Sequence, residues 1–242
     1  MRVKFLFMAA TILLAGSAES QQTKAYTKAD TLRGTITPGR AWWDILRYDL
    51  EVKPDYNNKS TEGKNSITYK VISTKNASIL QLDLQEPLII DKILLNGKSS
   101  LSFVKDGNTW MVKMPVQQKG SVHRLDVYYS GNPHEAIRAP WDGGWSFVRD
   151  SLGRPWMTVT CQGLGASIWY PCKDHQGDEP DNGASLTMTV PDSLTAIGNG
   201  RLQSKKLNGD GTTTWKWAVV NPISNYCLIP YIGMYKNFNE IY

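Results

Sequence analysis

The sequence predicts an all-β domain, mostly antiparallel, from about residue 41 to the end of the chain. Three observations predict it. Short apolar runs recur at every second position, turn dipeptides that tolerate positive φ stand between them, and no window of about 12 residues sustains an apolar period of 3.6.

In "LRYDLEVKP", Leu46, Tyr48, Leu50 and Val52 alternate with Arg47, Asp49, Glu51 and Lys53, which is the pattern of a strand with one buried face. The same alternation returns in Ile67, Tyr69 and Val71, in Leu80, Leu82 and Leu84, and in Leu125, Val127 and Tyr129. It returns again in Leu186, Met188 and Val190, and in Trp215 and Trp217. Between the runs stand Asn96-Gly97, Asp106-Gly107, Asn208-Gly209 and Asp210-Gly211, each a tight turn or hairpin by composition. The last segment, "NYCLIPYIGMYKNFNEIY", also reads as strand, through Ile229, Tyr231 and the aromatics up to Tyr242. An edge this apolar is normally covered, so further protein is expected to follow or to dock there.

The first 18 residues, "MRVKFLFMAATILLAGSA", carry Arg2 and Lys4, then an apolar run, then small residues. That is the layout of a cleavable secretory signal, too short and too soon interrupted for a membrane span. Residues 19–40 are polar and broken by Gly34, Pro38 and Gly39, a leader expected to lie over the surface. The mature protein is expected to be exported, to the periplasm or the extracellular space, with no membrane span. Removing Arg2 and Lys4 from 27 basic residues leaves 25 against 22 acidic ones, so the net charge falls from +5 to +3. The basic residues are scattered, with no stripe to follow a phosphate backbone, and no nucleic-acid partner is expected. Cys161, Cys172 and Cys227 are too few for a disulfide-built scaffold, and their odd number leaves at least one unpaired within the chain.

With His123, His134 and His175 as the only histidines, familiar catalytic constellations are scarce. There is no H-E-x-x-H, whose spacing aims two imidazoles at one zinc ion, no G-x-S-x-G elbow, no phosphate-binding glycine loop and no paired C-x-x-C. His123 opens a strand run on the same face as Leu125, the setting of a partly buried structural histidine, and His134 lies in an exposed proline-flanked loop. "CQGLGASIWYPCKDHQGDEPD", residues 161–181, is the crowded stretch. Cys172, Asp174 and His175 could form a nucleophile with its base, although residues this close after a strand end usually point apart. Asp174, Asp178, Glu179 and Asp181 could gather calcium or could form a solvated acidic turn, since the regular D-x-D-x-D-G spacing is missing. "PWDGGWSF" places Trp141 and Trp145 in a glycine-rich loop, where two exposed rings would make an extracellular carbohydrate-binding module. Tryptophans on strands are more often core residues.

The order "WMTVTCQGLGASIWYPCKDH", "LTMTVPDSLTAIGNGRL" and "WKWAVVNPISNYCLIPYIGMYKNF" resembles the N-terminal domain of the aminopeptidase N family of zinc metallopeptidases. Upstream, "YDLEVKPD", "EGKNSITYKV" and "GWSFVRDSLGRPWMTVTCQ" continue the resemblance over nearly the whole mature chain. The resemblance implies a saddle-like, mostly antiparallel β sandwich over residues 41–242 that packs against a thermolysin-like catalytic domain following residue 242. It implies zinc in the full-length enzyme and none bound by this chain. The family removes single residues from the free N-terminus of peptides, and its zinc ligands, glutamate base and Gly-x-Met-Glu-Asn strand have no counterpart here. Alone, the chain is expected to be inactive. One position carries over: Gln162 matches the Gln or Glu that reaches toward the substrate's amine and first side-chain pocket. A glutamine carbonyl can accept a hydrogen bond from an ammonium without itself reacting. Two departures put the local bracing in question: Ser167 stands where the family often has arginine, and "HQGDEPDNGA" is longer and more acidic than the family's turn.

Overall fold

The computed structural model describes residues 27–238, so the signal segment 1–18, the start of the leader and residues 239–242 lie outside the described residues. In chain order come a short helix, α1 (Lys28–Gly34), and the strands β1 (Trp43–Asp55), β2 (Ser60–Val71), β3 (Ile79–Asp83), β4 (Ile89–Leu95) and β5 (Ser99–Ser100). They are followed by β6 (Phe103–Asp106), β7 (Thr109–Lys113), β8 (Val122–Gly131), β9 (Gly144–Arg149) and β10 (Pro155–Thr160). After a single 3-10 turn at Ala166–Ile168 come β11 (Ala184–Pro191), β12 (Thr195–Ile197), β13 (Arg201–Leu207) and β14 (Thr212–Val219), then a second such turn at Asn225–Cys227 and β15 (Tyr231–Gly233). The fold is all-β and mostly antiparallel, as the alternation predicts. No helix among the described residues is long and apolar enough to cross a membrane.

An eight-stranded sheet runs in the order β13-β14-β11-β1-β2-β8-β4-β5, with a four-stranded sheet β12-β15-β10-β9 and a three-stranded sheet β3-β7-β6 beside it. Among the described strands, β1 and β11 pair in parallel, from Tyr48 opposite Ala184 to Val52 opposite Met188. More than a hundred residues separate the two strands, room enough for the return that a parallel pair requires. One continuous core draws on all three sheets: Leu50 and Ile67 from the largest, Leu82 and Val112 from the smallest, Met157 and Ile232 from the third. Each fully buried side chain of this kind contributes roughly 1.5–3 kcal/mol. The opposite face of β1 and β2 is polar, with Lys64 to Glu51 at 2.7 Å and Lys53 to Glu62 at 3.2 Å across the pair. Exposed pairs of this kind add little to stability.

Asn96-Gly97, Asn208-Gly209 and Asp210-Gly211 fall between strands, while Asp106 ends β6 so that the turn there is Gly107-Asn108; Asn96 (φ 53°) and Gly97 (φ 71°) both take the left-handed conformation that a two-residue hairpin needs. Three details depart from the sequence pattern. Tyr48, Leu50 and Val52 are buried as expected, but a bulge between Ile45 and Arg47 shifts the register, so Ile45 takes the core place and Leu46 is only half-buried. The terminal segment is not one long strand: Asn225–Cys227 is a 3-10 turn, and pairing is confined to Tyr231–Gly233, where Ile232 rather than Tyr231 is buried.

The described part of the leader begins on the surface and ends inside. A capping box starts α1, with Asp30 N donating to Thr27 Oγ1 (3.1 Å) and Thr27 N to Asp30 Oδ2 (2.8 Å). Gln81 Nε2 donates to the Leu32 carbonyl (3.0 Å). Arg40, fully buried, donates to the Arg33 and Thr35 carbonyls (3.0 and 2.8 Å) and to Asp83 Oδ2 (2.5 Å).

Candidate functional site

Gln162 lies just beyond β10, on an exposed turn. The Cys161 carbonyl accepts from Leu164 N (3.1 Å) and Gly165 N (2.8 Å), which folds residues 161–165 back on themselves. Gly163 (φ 71°) and Gly165 (φ 84°) supply the left-handed backbone that this return requires. At Gly165 a side chain would also run into the Asp174 carboxylate, so glycine is needed there twice over.

Asp174 braces the turn from below. Its carboxylate accepts from Ala166 N (3.3 Å), Ser167 N (3.1 Å) and Ser167 Oγ (2.6 Å). Ser167 thus supports Asp174 with both a hydroxyl and an amide. Gln85 Nε2 adds bonds to the Leu164 carbonyl (2.6 Å) and Ser167 Oγ (2.9 Å). From the leader, Arg33 Nη2 donates to the Gly163 carbonyl (2.6 Å). The Gln162 side chain itself is held by Tyr226, whose hydroxyl donates to Gln162 Oε1 at 2.9 Å. Between the leader and this turn opens a cleft of about 620 Å³, lined by Arg33, Gly163, Gly165, Asp174, His175 and Tyr226.

The other candidates come apart in the structure. Cys172 is fully buried, and burial, then the Asp174 and Asp83 carboxylates, push its thiol well above the ordinary range. His175 accepts from Gly177 N through Nδ1 (3.2 Å), turned into its own loop, so no thiol and base are paired. Of the acidic residues, Asp178, Glu179 and Asp181 line one hollow with Asp44, and Asp174 stands apart. Asp174 serves the turn, while Asp178 is ion-paired with Lys173, a buried lysine that also donates to the Trp43 carbonyl (2.7 Å). Among the described residues no group of three His, Cys, Asp or Glu side chains could hold a metal ion. Trp141 is 80% exposed, but Trp145 is fully buried and stacks on Phe147 at 5.3 Å, so the two-ring sugar platform does not exist. His123 is half-buried beside Ser121 Oγ (2.9 Å), and His134 is exposed.

All three cysteines are free, with Cys161 and Cys172 buried and Cys227 exposed. Burial first, then Asp174, pushes the Cys161 thiol up to about 12. In mildly alkaline buffer an alkylating reagent is expected to label Cys227 in the folded protein and to reach Cys161 and Cys172 only after unfolding. Intact-mass analysis reads this directly, and labelling of Cys172 in the folded chain would contradict its burial.

Sequence reasoning reached Gln162 by resemblance and missed Tyr226 as its partner. The signal was present only as the tyrosine of "NYCL", since nothing local ties it to a residue 64 positions away.

Comparison with known proteins identifies the domain. The family model described as the Peptidase M1 N-terminal domain matches residues 45–227. Among solved structures, the chain is similar to the M1 zinc metallopeptidase from Deinococcus radiodurans, with 22% identity, a TM-score of 0.67, and coverage of 81% of this chain and 43% of that one. It is similar also to a mutant of that enzyme bound to a Tyr-Ser-Ala substrate, at 23% identity and a TM-score of 0.66, again over 81% of this chain and 43% of the other. At these identities the likeness is one of fold, and the chain spans less than half the length of the structures it matches. No curated protein matches.

Proposed function

Since the chain belongs to the M1 peptidase family through its N-terminal domain, we propose that it is the β domain of an exported, zinc-dependent aminopeptidase. In this reading Gln162 meets the free amino terminus of a peptide substrate. The observation that carries it is the turn itself: an exposed glutamine whose side chain is held from one side by Tyr226, followed by residues 163–166 braced at their backbone by Arg33, Gln85 and Asp174. So much support under an exposed neutral side chain is an arrangement for positioning it, because a glutamine left to solvent needs none of it.

The chemistry follows from the acceptor. The Gln162 carbonyl oxygen has two lone pairs; Tyr226 occupies one and the other can accept from an ammonium. An amide accepts without charge, so its hold on the ammonium is weaker than a carboxylate's and does not titrate. In this reading the zinc and the water it activates belong to the catalytic domain of the full-length enzyme, as the family implies. This domain's part is to bind and orient the amine end of the substrate and to form one wall of the cleft beside it.

The coding sequence beyond Tyr242 tests the reading. It is expected to continue into an H-E-x-x-H motif with a second glutamate downstream, and a stop codon at that point would overturn the assignment to a peptidase.

A further inference from the structure

We propose that Trp141 forms a wall of the pocket for the substrate's first side chain and selects peptides whose amino-terminal residue is aliphatic or aromatic. The inference rests on the assignment of Gln162 to the amine site, and deepens it by naming the substrate class.

The pairing of β9 with β10 brings the Trp141 loop beside Gln162. Gly144 stands opposite Thr160 at the end of that ladder, so the residues just before Gly144 and just after Thr160 leave the sheet side by side. They stay in contact beyond it. A Cβ on Gly143 would stand 2.9 Å from the Gln162 carbonyl oxygen and 2.9 Å from the Leu164 side chain, so glycine at 143 lets the loop lean directly on the Gln162 turn. Trp141 is two residues further along that loop. The amine and the first side chain of a peptide hang from one carbon atom, so a group standing next to the amine site is placed to meet that side chain.

The loop is held in one shape. Its base is closed by Ala136 N donating to the Trp145 carbonyl (2.9 Å) and by Trp145 N donating to the His134 carbonyl (2.8 Å). Asp142 fixes the interior, accepting from Ile137 N (2.6 Å) and Arg138 N (2.7 Å), and Trp141 N donates to the Arg138 carbonyl (2.9 Å). On this braced loop Trp141 is 80% exposed, whereas Trp42, Trp43, Trp145 and Trp169 are fully buried. An indole in water forgoes the burial that makes tryptophan so stabilising in a core, and it recovers that burial only when an apolar group comes to lie on it. The side chain of a peptide whose ammonium is held at Gln162 is such a group when it is leucine or phenylalanine, and the single methyl of alanine covers little of the ring.

The test compares three tripeptides with free amino termini, Phe-Ala-Ala, Leu-Ala-Ala and Ala-Ala-Ala, as substrates of the full enzyme. Trp141→Ala is expected to lower kcat/KM roughly fivefold to twentyfold for the first two and less than about twofold for the third, the loss of one ring contact. Trp141→Phe keeps an aromatic face and should restore most of the preference. An equal loss for all three peptides would make Trp141 a support of the turn or part of the contact with the catalytic domain, and would overturn the proposal. So would an unchanged kcat/KM for all three while Gln162→Ala still raises KM, a result that leaves the amine site standing. If Gln162→Ala has no effect on KM, the amine-site assignment fails and this inference fails with it.

Discussion

In the full enzyme, Gln162→Ala is expected to raise KM for peptide substrates by about tenfold or more, with kcat within about twofold of the parent. A hydrogen bond to a charged group contributes about 1.5–3 kcal/mol, and each 1.4 kcal/mol is a factor of ten. The split between KM and kcat follows from where the residue acts. The ammonium is present in the ground state and in the transition state alike, so its loss weakens binding of both. Gln162→Glu should shift KM the other way, since a full charge grips the ammonium more strongly. Steady-state kinetics on a peptide with a free amino terminus measure both variants, and unchanged constants in Gln162→Ala would remove the residue from the site. The substitution should cost little stability, because the side chain is exposed and its one partner, Tyr226, keeps access to water.

The fold was more legible than the site, for physical reasons. Strands with one buried face announce themselves by period two, and Ile67, Tyr69 and Val71 or Leu186, Met188 and Val190 are buried as the alternation requires. β13 could not be read this way, because every residue of Arg201–Leu207 is exposed and an edge strand with nothing to bury has no apolar period. The bulge at Leu46 was invisible because a one-residue shift exchanges two apolar neighbours, Ile45 and Leu46, without changing the composition. In the site, composition misled. Cys172, Asp174, His175 and Asp178 suggested chemistry by crowding, yet Cys172 is buried, Asp174 and His175 bond within their turns and Asp178 pairs with Lys173, while Glu179 and Asp181 are exposed. Gln162 has no local signature and came only through resemblance. Tyr226 reaches it from 64 positions away and Arg33 reaches the neighbouring Gly163 from 130, contacts that the topology creates and no window of sequence contains.

Breaking the buried pair of Arg40 and Asp83 is expected to give the largest stability loss. Asp83 accepts from Arg40 Nη2 (2.5 Å), Gln81 Nε2 (3.0 Å) and the Asp174 amide (2.9 Å), and its own backbone pairs with Cys172. Burial pushes its carboxyl above the ordinary range, against which Arg40 and the two amide donors pull. Asp83→Ala removes the carboxylate and leaves the fully buried Arg40 guanidinium without its charge partner, a change that typically costs about 3–5 kcal/mol. For a domain of this size that lowers Tm by roughly 10 °C, read by thermal unfolding followed by circular dichroism. The double variant Arg40→Met with Asp83→Leu should lose less than the single one, because no charge is stranded when both leave together. A single variant within about 1 kcal/mol of the parent would show that Arg40 finds other partners. Asp83 also carries the effect to the site: it holds the amide of Asp174, whose carboxylate holds the turn at Gly165 to Ser167. Loss of Asp83 should therefore loosen the Gln162 turn before the domain melts, and hydrogen exchange at Ala166 and Ser167 should quicken at temperatures where the core amides of β2 and β8 remain protected.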